Sequence, residues 1–295
     1  MVYDTIYIQC GNSVKRKPGY MGASPHTMGM TDNLETETNL ELVAATVRPD
    51  AVKKMVLGAC SEPRTLLQLR SAIASMCTVA DKWMAITELT IVTGEARRFS
   101  LAHYGSATHY EDDMRECTAA LGAMLPRVRK LILTGVTRNS IFTALYENLA
   151  GFYASQLQVL RSEHPVTAPQ DIVFTQLKHV SIKGAYYPSY QLPRMCPEST
   201  ECLKLEGITP SHSWATFSAD NNGRVIIFPK LRKLSVVSCQ PDRVRGAVEQ
   251  HSTAPKWELQ FPSLDHLAVQ SHGTMCPLLE YAVLPPRMQS IDILA

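Results

Sequence analysis

Phe228-Pro-Lys-Leu-Arg-Lys-Leu-Ser-Val-Val-Ser-Cys239 and Phe261-Pro-Ser-Leu-Asp-His-Leu-Ala-Val269 share one pattern. In each, an apolar residue is followed three and five positions later by two more, Leu231/Leu234/Val236 and Leu264/Leu267/Val269. The last two lie two apart, the period at which strand side chains return to the same face of a sheet. Pro229 and Pro262 stand two places ahead of the first apolar position. Proline has no N–H to extend a helix and pushes the residue before it out of the helical region, so it ends one element and starts the next extended. Each stretch therefore predicts a strand with a defined inward face.

The pattern recurs outward in both directions, giving ten instances in all. The others are Tyr3/Ile6/Ile8, Val52/Met55/Leu57, Ile86/Leu89/Ile91, Val128/Leu131/Leu133, Leu157/Leu160/Ser162, Leu177/Val180/Ile182, Thr200/Leu203/Leu205 and Met288/Ile291/Ile293. In a chain that is 45% hydrophobic so short a template also arises by chance, and the flanks carry the argument. Pro126 and Pro286 repeat the offset of Pro229 and Pro262, and Gly58, Gly94, Gly135, Gly184 and Gly207 follow other strands as expected turn residues. Cys60 and Cys239 fall three places past the last apolar residue, where a buried turn accepts a small thiol. Middle apolar residues are separated by 20 (Leu160 to Val180) to 49 (Ile6 to Met55) positions. A leucine-rich repeat needs roughly 20–29 residues, and the longer units leave space for a helix. The expected fold is α/β: one irregular solenoid domain over residues 1–295.

Helical periodicity fills the longer connections. Arg64 to Trp83 carries Leu66, Leu67, Leu69, Ile73, Met76 and Val79; Glu111 to Met124 carries Met114, Cys117, Leu121 and Met124; Ile141 to Phe152 carries Leu145, Leu149 and Phe152. Thr108-x-x-Glu111 and Thr38-x-x-Glu41 fit a capping box, with Asp112 and Asp113 where a helix start favours negative charge. Gly11 to Asn33, Pro188 to Pro197 and Gln240 to Pro255 are rich in turn formers and read as loops.

Composition removes several function classes. Lys and Arg number 29 against 27 Asp and Glu, a net charge of +2, which does not favour a protein that coats polyanions. Eight cysteines without a CxxC read as reduced thiols, so no disulfide and a cytoplasmic or nuclear setting are expected. Met1-Val-Tyr-Asp-Thr-Ile-Tyr-Ile8 lacks signal-peptide features, and no apolar run approaches about 18 residues.

The two opening stretches look like divergent leucine-rich repeats of the Phe-Pro-x-Leu-x-x-Leu-x-Val type frequent in fungal and plant F-box proteins. That resemblance implies a horseshoe with a parallel concave sheet and irregular helical convex connections. It also implies a protein-recognition surface, often the substrate receptor of a cullin-type ubiquitin ligase and so a partner of its adaptor. The sequence departs from the family in showing no Leu-Pro-x-Glu-type F-box module.

Alternation sends the neighbours of the inward residues to the opposite, concave face. There Lys54, Lys130, Arg161, Lys183, Lys204 and Lys233 form a basic series with His179 and His266, interrupted by Glu88, Glu206 and Asp292. Such a stripe fits an acidic or phosphorylated segment of a protein partner, although lysine also keeps an exposed sheet soluble. No catalytic residue, metal ligand or cofactor is expected. His103, His109, Glu111, Asp112 and Asp113 lack ligand spacing, Cys196 and Cys202 lack a second pair, and Ser211-His212-Ser213 with Asp220 lies in an expected surface connection. Lys15-Arg16-Lys17-Pro18 is a short basic loop without the interleaved aromatics of a single-strand binder. Trp83, Trp214 and Trp257 are read as packing or surface residues rather than ligand boxes. The alternatives are an α/β enzyme with a deep pocket and perturbed titratable groups, or a basic nucleic-acid-binding solenoid with salt-dependent affinity.

Overall fold

The computed structural model describes residues 4–10, 28–30, 47–59, 70, 73–74, 76–78, 83–93, 107–135, 141–163, 173–183, 198–208, 226–238, 259–270 and 282–294. Contacts divide the chain into two compact units, Met1–Tyr153 and Ala154–Ala295. All ten strands read from the sequence are present, in an α/β fold in which every described strand pairing is parallel.

The first unit contains β1 (Thr5–Cys10), β2 (Met28–Met30), β3 (Lys54–Ala59), β4 (Glu88–Thr93), α1 (Ala107–Met124), β5 (Lys130–Gly135) and α2 (Ile141–Phe152). Its strands lie in the order β2-β1-β3-β4-β5. Ile6, Met55, Leu89 and Leu131 are register partners, as are Ile8, Leu57, Ile91 and Leu133, and both rows are buried. Beneath them α2 packs against α1 and against β4 and β5. Leu121 and Met124 of α1 and Leu145, Tyr146 and Leu149 of α2 are buried. Tyr153 just beyond α2 donates its hydroxyl to the Leu121 carbonyl at 3.4 Å. A Cβ on Gly122 would stand 2.2 Å from the Phe152 ring, so glycine there permits the close approach of α1 and the end of α2.

The second unit contains β6 (Val159–Ser162), β7 (His179–Lys183), β8 (Cys202–Ile208), β9 (Ile226–Ile227), β10 (Lys233–Ser238), β11 (Leu259–Gln260), β12 (His266–Gln270), β13 (Ala282–Val283) and β14 (Ser290–Leu294). One sheet runs β6-β7-β8-β10-β12-β14 and a smaller one β9-β11-β13. Leu160, Val180, Leu203, Leu234 and Leu267 form one buried row, and Ser162, Ile182, Leu205, Val236 and Val269 the next. The two positions that break the apolar template are buried all the same, Ser162 and Thr200 each at 1% exposure. Thr200 donates its hydroxyl to the Leu177 carbonyl, which removes the cost of burying it unpaired.

One backbone device repeats throughout each unit. Asp4, Lys53 and Thr87 each present a carbonyl that accepts two consecutive N–H groups from the start of the next strand; Gln158, Lys178, Glu201, Arg232 and Asp265 do the same in the second unit. The entrance to a strand is equally regular. Leu231 donates to the Phe228 carbonyl, Leu264 to that of Phe261, Val128 to that of Leu125 and Ile86 to that of Trp83. These are β-turns, and Pro126, Pro229 and Pro262 occupy their second position, where the ring's fixed φ is already correct. The prolines thus act inside a tight turn rather than by simply starting an extended segment. The Phe228 and Phe261 rings opening two such turns are buried and stack at 5.5 Å and 27°.

Other expectations are corrected. Met28–Met30, inside the stretch read as a loop, pairs with β1. Thr108 does not cap a helix, because α1 already includes Ala107, and Asp112 and Asp113 follow its first turn. Residues 70, 73–74 and 76–78 are helical with Ile73 and Met76 buried, but Trp83 lies beyond, opening a turn. Phe152 is 50% exposed because Tyr153 takes the inward position. Ile291 and Ile293 follow the inward register yet are 52% and 66% exposed, since β14 has a neighbouring strand on one side only. Gly58 and Gly207 lie within strands; Gly207 is skipped where the β8–β10 register shifts, the residue of a β-bulge. Gly135 ends β5 at φ 126°, which favours glycine. The β9-β11-β13 sheet was not expected, because two-residue strands carry no readable period. Thr38-x-x-Glu41, Gly94, Gly184, Cys60, Cys239, Pro188 to Pro197 and Gln240 to Pro255 lie outside the described residues.

Leu234→Asp or Leu267→Asp places an unpaired charge in a buried row, and either is expected to unfold the second unit. Lys204→Glu and Lys233→Glu, on the exposed face, are expected to leave circular dichroism and protease resistance unchanged. Asp variants that resist proteolysis like the parent would show that the register is wrong.

Candidate recognition surface

Side chains of alternate register form rows across the exposed face of each sheet. In the first unit one row is Thr5, Lys54, Glu88 and Lys130, and the next is Tyr7, Val56, Thr90 and Ile132. Glu88 on β4 lies between two lysines, 2.9 Å from Lys130 Nζ and 4.0 Å from Lys54 Nζ. The single carboxylate offsets one of the two positive charges, chiefly that of Lys130, and the adjoining row is mostly apolar.

In the second unit the first row is Val159, His179, Cys202, Lys233, His266 and Ser290, and the second is Arg161, Ser181, Lys204, Ser235, Ala268 and Asp292. His179, Lys183 and Lys233 are exposed, whereas His266 is half-buried with Nδ1 2.8 Å from Ser290 Oγ. Lys204 contacts Glu206, and Arg161 is 3.6 Å from Glu163. Among the described residues no ion pair joins Lys183 or Lys233. The structure thus brings His179, Lys233 and His266 into one row, holds Arg161 and Lys204 in another with Ser181 between them, and leaves Lys54 and Lys130 in the other unit. Glu163, two residues after Arg161 and just past the end of β6, is the acidic partner that the series read from sequence does not include.

Beside this face Lys178 and Glu201 pair at 3.1 Å, and the Lys178 ammonium holds the Glu201 carboxyl below its ordinary value. Burial pushes the Cys202 thiol up, opposed by the nearby Lys233 and Lys204 charges. Neither shift prepares a nucleophile or a general base at neutral pH. Among the described residues no group of three or more His, Cys, Asp and Glu could hold a metal ion, and no helix is long and apolar enough to cross a membrane. Trp83 is fully buried, and its indole N–H meets no acceptor among the described residues. Lys15-Arg16-Lys17-Pro18, His103, Cys196, Ser211-His212-Ser213, Asp220, Trp214 and Trp257 lie outside the described residues. No protein-family model, curated protein or solved structure matches the chain.

Two outcomes are expected from these environments. Glu88→Gln removes two exposed ion pairs and should cost no more than about 1 kcal/mol in urea unfolding. The thiolate is the form that reacts with iodoacetamide. At pH 8, mass spectrometry should find, of the three thiols described, exposed Cys77 alkylated first and Cys202 more slowly. Cys117, buried with its pKa pushed up to about 11, should react only on unfolding.

Proposed function

We propose that this chain is a non-catalytic protein-recognition module whose second unit binds an acidic or phosphorylated segment of a partner protein across the exposed face of β6, β7, β8 and β10. The observation that carries this reading is the exposed set of basic side chains on in-register strands: Lys183 and Lys233, with Arg161 and the imidazole of His179 beside them. A parallel sheet fixes the spacing between the backbone positions of such groups, so the side chains spring from a defined pattern and binding has to order them but not the backbone beneath. Carboxylate or phosphate groups spaced to match would form charge-assisted hydrogen bonds with it.

The finer reading is the substrate-receptor portion of an F-box-type ubiquitin ligase. Its support is the resemblance of the Phe228-Pro and Phe261-Pro repeats, which open on the same hydrogen-bonded turn and stack their rings on each other. On this reading the partners are a substrate protein and a cullin-ligase adaptor, and the setting is cytoplasmic or nuclear.

The test compares the parent with a Lys183→Glu/Lys204→Glu/Lys233→Glu variant of verified fold. Affinity purification from native lysate, read by mass spectrometry, should lose a specific protein set in the variant while any adaptor is retained. Binding of a fluorescent glutamate-rich or phosphoserine peptide, followed by anisotropy, should weaken by about tenfold or more and fall with added salt. Equal binding by both proteins would overturn the proposal.

A further inference from the structure

The exposed face of the second unit is not uniformly basic. Over β8, β10, β12 and β14 it sinks into a groove of about 400 Å3 lined by Lys204, Glu206, Ser235, Val237, Gln270 and Asp292 among others. Side-chain size explains the hollow. Lys204, Ser235, Ala268 and Asp292 are register partners across these four strands, so two small residues form the floor and two charged ones the walls. Charge then distinguishes the walls. The Lys204 ammonium is already in contact with Glu206, whereas Asp292 is exposed and no ion pair reaches it among the described residues. Within this lining one cation stands against two carboxylates, so the groove itself is net negative; Lys183, the register partner of Glu206 on β7, lies outside the lining, and the negative end is that of Asp292 on β14.

We infer that this groove receives a basic side chain, arginine or lysine, from the same partner segment whose acidic groups meet the β6–β7 end of the face. The inference rests on the reading under Proposed function and reverses the sign of its electrostatics at one end. A guanidinium or ammonium entering the groove gains the uncommitted Asp292 carboxylate, while its methylene stem packs on Val237 and Ala268. An acidic side chain there would meet Glu206 and Asp292 with only a neutralised lysine in return. From Lys183 on β7 to Asp292 on β14 the order β7-β8-β10-β12-β14 makes four strand steps. At about 4.8 Å per step this is roughly 19 Å, which an extended segment at about 3.3 Å per residue crosses in roughly six residues. The partner sequence is therefore bipolar, with an acidic residue or phosphate about six positions from an arginine or lysine.

The experiment selects a random linear peptide library displayed on phage against the whole chain. Enriched peptides are then synthesised and measured by anisotropy with the parent, Asp292→Asn and Lys183→Glu proteins, their folds checked by circular dichroism. Enriched peptides should carry Lys or Arg at that spacing from acidic residues. Affinity should fall by about tenfold in Asp292→Asn, and the loss should vanish when the peptide's basic residue is replaced by glutamine. Acidic peptides without an excess of Lys or Arg, or basic peptides indifferent to Asp292→Asn, would overturn this inference and leave the acidic-segment reading standing. Peptides that depend on Asp292 but not on Lys183 would uphold the groove and overturn the acidic half. No enrichment at all would overturn both.

Discussion

Eight backbone carbonyls, from Asp4 to Asp265, each bind two successive amides of the following strand, and this contact sets the register in both units. Parallel strands can slip against one another, and a slip of one residue would turn every inward side chain outward. A carbonyl held by two neighbouring N–H groups at the strand entrance makes that slip costly before any side chain packs. The buried rows then follow, because Ile6, Met55, Leu89 and Leu131 must stack once the entrances are aligned, as must Leu160 through Leu267. The exposed rows follow from the same alignment, so the spacing of His179, Lys233 and His266 is a backbone property.

Much of this was legible in the sequence, and the reasons differ from place to place. Period-two alternation located the strands because burial on one face alone imposes it. The Ile141–Phe152 helix was found to the residue because Leu145 and Leu149 lie one helical turn apart on its buried side. Ser162 and Thr200 stand out from the apolar pattern and are buried all the same; the Thr200 hydroxyl is tolerated in the core because it finds the Leu177 carbonyl. The proline offset is visible in the sequence but the turn it belongs to is not, since the hydrogen bond from the Leu231 N–H to the Phe228 carbonyl leaves no signature in composition.

The candidate surface was legible only in outline. Alternation placed the lysines and histidines on the exposed face, but which charges remain uncommitted depends on side-chain reach. Glu88 serves two lysines from adjacent strands, Glu206 serves Lys204 two residues away on its own strand, and Glu163 serves Arg161 from just past the end of β6. The hollow over Ser235 and Ala268 was invisible because it requires small residues from separate strands at the same level. What the sequence presented as a single basic stripe is, in the second unit, a face with a polarity.

Connections as different as the 49 residues from Ile6 to Met55 and the 20 from Leu160 to Val180 lead into strands set by the same carbonyl device. Closing a flexible loop twice as long costs only about 0.6 kcal/mol more. Loop length and recognition surface are therefore separable design variables in this scaffold. A connection could be lengthened or made to carry an inserted peptide while the exposed rows keep their places, as long as the turn, the doubly bonded carbonyl at the strand entrance and, in the first unit, the packing of α1 and α2 beneath the sheet are kept.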